Sequence, residues 1–132
     1  MANLVFICAS EGNNALLARE VEAHAVAMGH SVEHVSLNEY DFPIYTVARE
    51  KATPVLEGID RLVEVLDRGE AWFVFAPEYN GTCPPVLNNT IAWLSREGDD
   101  FRRLFRDRVV ALGTHSGGCL LYTSDAADDD TR

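Results

Sequence analysis

The chain has 132 residues, of which 47% are hydrophobic, and this size and composition are typical of one globular domain with a substantial core. Its net charge of −10 argues against nonspecific binding to nucleic acid or to an anionic membrane surface. No apolar run has membrane-spanning length, and the amino terminus reads as a first strand rather than a signal peptide, so we expect a cytoplasmic protein. Cys8, Cys83 and Cys119 have neither metal-ligand nor disulfide-framework spacing, and we expect no metal.

Apolar runs and helical patterns alternate along the chain. The pattern predicts strands at residues 4–8, 31–37, 71–76 and 108–113, with the second strand nearer an edge because it is less apolar. It predicts three helices, one capped by Asn13 or Asn14 and closed by Gly29, one started by Thr53-Pro54, and one started by Pro84 and Pro85. Their buried faces are predicted to hold Leu17, Val21, Ala25 and Met28, then Leu56, Ile59, Val63 and Leu66, then Leu87, Ile91 and Leu94. The order β-α-β-α-β-α-β predicts an α/β fold, a doubly wound parallel sheet in three α/β/α layers.

Polar loops follow three of the predicted strands, at residues 9–14, 77–81 and 114–118. Right-handed crossovers bring the carboxyl ends of parallel strands to one edge of the sheet, so we expect these loops to converge on one site. The first loop leads into a helix, where backbone N–H groups favour an anion. The first and second loops also have a simpler interpretation as ordinary turns between a strand and a helix. For His115, the one histidine in these loops, contact with a ligand and a surface position both stay open.

The second loop and the helix after it carry the most specific motif in the chain. This motif resembles the NADPH-dependent FMN reductase family of flavodoxin-like proteins, and the resemblance extends over residues 3–118. It rests on Pro77-Glu78-Tyr79-Asn80-Gly81, followed by Pro84 or Pro85, Leu87, Asn89, Ile91 and Trp93. The segment from Leu37 to Tyr45 also resembles the family's stretch after the second strand. The first loop is shorter than that of the family, lacks its arginine and adds Glu11.

The resemblance implies a flavodoxin-like fold with FMN at the carboxyl ends of the strands. It implies an enzyme that takes hydride from NADPH or NADH and passes electrons to a quinone-like or other small acceptor, assembled as a homodimer or homotetramer. The alternative is an FMN-binding electron carrier without NAD(P)H activity, as flavodoxins are. No residue is predicted to be catalytic, because hydride transfer to a flavin is chemistry of the cofactor.

The resemblance also assigns cofactor-binding residues to all three loops. The FMN phosphate is expected at the first loop, the edge of the flavin ring at the second, and a flank of the ring at the third. The residues are, in chain order, Ser10, Asn13 and Asn14, then Pro77, Glu78, Tyr79, Asn80 and Gly81, then Thr114, His115, Ser116, Gly117 and Gly118.

The last fourteen residues, CLLYTSDAADDDTR, break the alternating pattern. They show neither strand nor helix periodicity, and they resemble translated adapter sequence from a sequencing library. We therefore expect residues 1–118 to form an incomplete flavodoxin-like domain without its last helix and strand, and residues 119–132 to be a non-native tail. The alternative is a genuine short acidic tail.

Overall fold

A computed structural model of the chain describes residues 1–115. Four strands lie in this part, β1 (Asn3–Cys8), β2 (Ser31–Ser36), β3 (Ala71–Phe75) and β4 (Val109–Gly113). The four α-helices are α1 (Asn13–Ala27), α2 (Val47–Ala52), α3 (Ile59–Arg68) and α4 (Pro85–Leu94), and a 3₁₀ turn, Leu37–Glu39, follows β2. The predicted site residues Ser116, Gly117 and Gly118 and the predicted tail lie outside the described residues. Among residues 1–115, no helix has both the length and the apolar character needed to cross a membrane.

The four strands form one parallel sheet in the order β2-β1-β3-β4. This arrangement confirms the predicted α/β fold, and it places β2 at an edge, as its mixed polarity predicts. Because consecutive strands run in the same direction, the loops that follow β1, β3 and β4 all leave from one edge of the sheet. The predicted convergence of polar loops therefore has its structural basis in the topology.

Apolar side chains cover both faces of the sheet, as a parallel sheet requires. On the α1 side, Phe6 and Phe75 are fully buried, and they pack with Ala18 and Ala25 of the helix. The opposite face has the larger core, which lies between the sheet and the helices α3 and α4. Its members include Val5, Ile7, Leu62, Leu66, Trp72, Trp93 and Leu94. The sheet is thus the middle layer of the fold, and its carboxyl edge is left for the loops.

The predicted start of the second helix at Thr53-Pro54 is wrong. A short helix that the sequence did not predict, α2, ends just before this pair, and the Thr53 backbone is not helical, with φ −122° and ψ 78°. A residue that precedes proline is disfavoured in the helical conformation, so Pro54 ends a helix here instead of starting one. The next helix, α3, begins only after Gly58, whose φ of 85° suits glycine. In α3 Leu62 is fully buried, whereas Val63, which the pattern placed in the core, is half-buried.

The predicted cap of α1 is also wrong. Gly12 occupies the N-cap position, no side chain caps this helix, and Asn13 and Asn14 are its first two residues. At the other end, Gly29 has a φ of 90° and closes the helix as predicted, but Met28 lies beyond the last helical residue and is 75% exposed. In α4, Ile91 is 42% exposed rather than buried, while Pro85 is confirmed as a first-turn proline.

Two residues of the family-like motif clamp the segment after β2 onto α4. The Asn89 carbonyl oxygen accepts the Tyr45 N–H at 2.7 Å, and the Asn89 amide donates to the carbonyl oxygens of Phe42 and Pro43 at 3.3 and 3.0 Å. The Trp93 indole N–H also donates to the Pro43 carbonyl oxygen, at 2.7 Å. The asparagine and tryptophan of the motif therefore hold the connection from β2 in place.

Replacing Asn89 with alanine should lower the free energy of unfolding by about 2 kcal/mol, because the Tyr45 N–H and the Phe42 carbonyl lose their partner and the Pro43 carbonyl keeps only the Trp93 indole. Urea unfolding followed by circular dichroism measures the change. Asn88→Ala is the matched control, since Asn88 is exposed on the same helix and we expect a change below about 0.5 kcal/mol. Equal unfolding midpoints for the two variants would show that the clamp contributes nothing.

Glu50 gives the fold a specific dependence on pH. The Glu50 carboxylate accepts two hydrogen bonds, one from the Tyr45 hydroxyl at 2.7 Å and one from the Arg96 guanidinium at 2.9 Å. These two hydrogen bonds hold the pKa of Glu50 below its ordinary value. A lowered pKa in the folded state stabilises the protein above the unfolded pKa of about 4.3, and this contribution disappears as the pH falls through the lowered pKa. We expect the difference in unfolding free energy between wild type and Glu50→Gln to shrink between about pH 6 and pH 3. A difference that stays constant over this range would contradict the assignment.

Candidate functional site

The three polar loops start side by side at the carboxyl edge of the sheet. The N–H of Ala9 donates to the Phe75 carbonyl oxygen at 2.9 Å, and the N–H of Ala76 donates to the Gly113 carbonyl oxygen at 3.1 Å. Both bonds continue the strand pairing by one residue beyond the strands. The loops after β1, β3 and β4 therefore begin in contact, as far as the structure describes them, and Ser116, Gly117 and Gly118 lie outside the described residues.

The second loop is a tight turn that its Asn-Gly pair dictates. Tyr79 and Thr82 exchange two backbone hydrogen bonds, of 2.9 and 3.1 Å, and the residues between them, Asn80 and Gly81, have φ of 53° and 76°. Two consecutive residues with positive φ define a type I′ turn, for which Asn-Gly is the preferred sequence. The turn leaves the Tyr79 ring 46% exposed at the edge of the site. Asn80 and Gly81 thus shape the loop through their backbone.

A pocket of about 390 Å³ lies between this turn and the end of β4. Its apolar wall includes Val74, Leu87 and Leu112, and its polar rim includes Glu78 and Thr114. Pro77, Gly81, Thr82 and Cys83 line it as well. Thr82, Cys83, Leu87 and Leu112 line the pocket although they were not predicted as site residues. Thr82 and Cys83 directly follow the turn, Leu87 lies on α4 and Leu112 is near the end of β4, and these positions could have indicated a place in the site.

One oxygen of the Glu78 carboxylate in this pocket has no hydrogen-bond partner. Oε2 is buried, and it accepts no hydrogen bond from any of the residues that the structure describes. A buried acceptor without a partner is costly, and such groups in folded proteins are nearly always paired with protein, water or ligand. This oxygen is therefore a candidate acceptor for a donor group of a molecule that binds at the pocket.

The first loop offers backbone donors rather than side-chain donors. No side chain caps α1, and no described residue accepts from the N–H groups of Asn13 and Asn14, which therefore favour negative charge at the helix N-terminus. Ser10 is half-buried and Asn13 is exposed at this start. Ser10 and Glu11 also line a second pocket, of about 520 Å³, which reaches away from the other loops toward Arg19 and His34. Ser10 and Asn13 are therefore placed where an anion would bind, on the side of the site opposite to the turn.

Asn14 does not face this anion position with a free side chain. It is 3% exposed, and its amide forms two hydrogen bonds with the backbone of His115 in the third loop. The amide donates to the His115 carbonyl oxygen at 3.1 Å, and the Asn14 carbonyl oxygen accepts the His115 N–H at 2.7 Å. The His115 side chain and Thr114 are exposed at the edge of the site.

Comparison with known proteins decides the family. A family model described as NADPH-dependent FMN reductase matches residues 2–124. The chain belongs to this family. Membership in the NADPH-dependent FMN reductase family confirms the predicted relationship, the predicted enzyme class, FMN as the cofactor and a nicotinamide nucleotide as the electron donor. The search of curated proteins gives no match.

Solved structures show that the chain has the flavodoxin-like fold of other flavin enzymes. FerB, a flavoenzyme NAD(P)H:(acceptor) oxidoreductase from Paracoccus denitrificans, matches with a TM-score of 0.73 and 20% identity, over 98% of this chain and 70% of FerB. An NAD(P)H:quinone oxidoreductase from Methanothermobacter marburgensis matches with a TM-score of 0.67 and 16% identity, over 96% and 72% of the two chains. An azoreductase from Bacillus anthracis matches with a TM-score of 0.62 and 17% identity, over 97% and 79%.

The described residues of this FMN reductase family member fit a flavin nucleotide. The wall formed by Val74, Leu87 and Leu112 suits a flat ring system, the orphaned oxygen of Glu78 needs a donor such as a ring N–H, and the uncapped start of α1 suits a phosphate. The ring and the phosphate of FMN thus each have a matching feature at one sheet edge.

Proposed function

We propose that the protein is an FMN-dependent oxidoreductase that passes electrons from NADPH or NADH to a quinone-like or other small acceptor. The observation that carries the proposal is the pocket between the second loop and the end of β4, which joins an apolar wall to the orphaned Glu78 oxygen beside an exposed tyrosine. The structural similarity to FerB, to the quinone oxidoreductase and to the azoreductase supports this class of acceptor.

The residues of the site bind and orient in this proposal. The first turn of α1, with Ser10 and Asn13, would hold the phosphate, and the turn of Tyr79 and Gly81 would hold one edge of the ring. The Glu78 carboxylate would accept a hydrogen bond that fixes the ring in the pocket. FMN, when bound, would supply hydride acceptance from the nicotinamide and electron delivery to the acceptor. The residues of the site would contribute binding and orientation.

The proposed reaction is tested by mixing the purified, FMN-loaded protein with NADPH or NADH and a benzoquinone. We expect nucleotide oxidation, followed at 340 nm, that depends on both FMN and the quinone. Bound FMN without any nucleotide oxidation would contradict the proposed reaction and favour a flavodoxin-like carrier. Running NADPH and NADH in parallel also identifies the preferred donor.

Replacing Tyr79 with alanine should weaken FMN binding about tenfold, because an exposed aromatic ring beside the pocket would lose its contact with the flavin. Titration of FMN fluorescence gives the two dissociation constants. Tyr79→Phe is the control, since it keeps the ring and removes only the hydroxyl, and we expect it to bind as the wild type does. Unchanged affinity in Tyr79→Ala would remove this residue from the site.

We also propose that the protein assembles as a homodimer or homotetramer. Ile44, Val47 and Val55 are apolar side chains that the described part of the chain leaves exposed, which is consistent with burial against another copy. Light scattering coupled to size-exclusion chromatography gives the mass in solution. A single species with the mass of one chain would contradict this assembly.

A further inference from the structure

The contact between Asn14 and His115 joins two loops that lie 101 residues apart in sequence. The side chain of Asn14 is 3% exposed, and both ends of its amide are used. The amide oxygen accepts from the N–H of one residue, and the amide nitrogen donates to the carbonyl oxygen of that same residue. This pair of hydrogen bonds resembles the exchange between two paired strands. Among the described residues, the first and third loops are connected by these two side-chain hydrogen bonds.

We propose that Asn14 is a positioning residue that sets the third loop against the start of α1, and not a ligand of the FMN phosphate. This inference rests on the proposed function, because it concerns how the third loop is held in place beside the flavin site. An amide committed to His115 has little capacity left for a phosphate, and its burial keeps it away from the exposed face of the loop. Phosphate binding is left to the backbone N–H groups of the first turn, with Ser10 and Asn13 beside them.

The neighbourhood of Gly113 explains why such a tie is needed. A Cβ atom at Gly113 would lie 2.8 Å from the Phe75 ring, so the end of β4 passes close over that ring without a side chain of its own. The following residues, Thr114 and His115, are exposed and leave the sheet. The described part of the third loop therefore gains its position from the Asn14 amide rather than from packing in the core.

Two flavins separate a positioning role from a ligand role. Riboflavin lacks the phosphate of FMN but has the same ring, so a phosphate ligand affects only FMN, whereas a residue that positions the third loop affects both. We expect Asn14→Ala to weaken FMN and riboflavin by the same factor, about tenfold for each. Asn14→Leu should show the same pattern, because the leucine side chain fills a similar space, carries no charge and cannot form either hydrogen bond with the His115 backbone. Weaker binding of FMN with unchanged riboflavin affinity would overturn the proposal and make Asn14 a phosphate ligand.

A control variant and a flavin-free measurement complete the test. Thr90→Ala removes another 3%-exposed polar side chain, one whose hydroxyl bonds only within α4, to the Val86 carbonyl oxygen, so its affinities for both flavins should match the wild type. Amide hydrogen exchange of the flavin-free protein should be faster at residues 113–115 in Asn14→Ala than in Thr90→Ala or wild type. Equal exchange rates would overturn the proposal even if flavin binds. A wild-type protein that binds neither flavin would instead overturn the proposed function, while the exchange result would still decide whether Asn14 holds the loop.

Discussion

Replacing Phe6 with alanine should lower the free energy of unfolding by about 3–5 kcal/mol. Phe6 is fully buried at the centre of the core under α1, and its ring lies 5.4 Å from that of Phe73 and 5.2 Å from that of Phe75, centroid to centroid. The substitution leaves a cavity beneath the helix that the β-sheet cannot close, and the aromatic contacts are lost as well. Chemical denaturation monitored by circular dichroism gives the size of the loss.

Phe101→Ala is the matched control for this prediction. Phe101 is 41% exposed, and its ring contacts the Arg96 guanidinium, 4.2 Å from the ring centroid, on the surface. The same chemical change there should cost about 1 kcal/mol or less. Comparable losses in the two variants would mean that the Phe6 cluster is not the tightly packed core that the structure indicates.

The second large effect is expected at Gly69, where α3 turns into β3. A Cβ atom there would lie 2.5 Å from a methyl carbon of Val5 and 3.2 Å from the Val5 Cβ. Val5 is fully buried and β-branched, so it has no free rotamer to move into. Gly69→Ala should therefore destabilise the protein by about 1–3 kcal/mol, although the φ of −71° at Gly69 suits any residue.

A double mutant isolates the clash as the cause. In a Val5→Ala background the methyl group that meets the new Cβ is gone, so adding Gly69→Ala should cost little further stability. The four unfolding free energies of this cycle give the coupling between the two positions. Additive losses would contradict the steric explanation and point to the backbone of Gly69 itself.

The sequence could predict the sheet and the place of the site because both depend on repeating patterns. Continuous apolar runs such as 71–76 are long enough for buried strands and too short for helices, and alternation with helices makes the sheet parallel. Pro84 and Pro85 predict the start of α4 correctly, because a proline in the first turn of a helix costs no hydrogen bond. The convergence of three loops then follows from topology alone.

What the sequence could not predict depends on contacts between distant residues. Asn14 looks like a helix cap because asparagine commonly has that role, but its partner is the backbone of His115, which local sequence cannot reveal. Thr53-Pro54 resembles a helix start, and only the presence of α2 before it shows that the proline ends a helix. The Asn-Gly pair at 80 and 81 is the preferred sequence of a type I′ turn, so local sequence alone could have predicted this turn.

We propose that one edge of the sheet holds FMN, with the phosphate at the start of α1 and the ring beside Tyr79. Titration of FMN and of riboflavin with the purified protein, followed by quenching of flavin fluorescence, tests this placement. We predict saturable binding of one FMN per chain, with at least about tenfold weaker binding of riboflavin because the helix start contributes to phosphate binding. A folded protein that quenches neither flavin, or binds both equally, would contradict the site described.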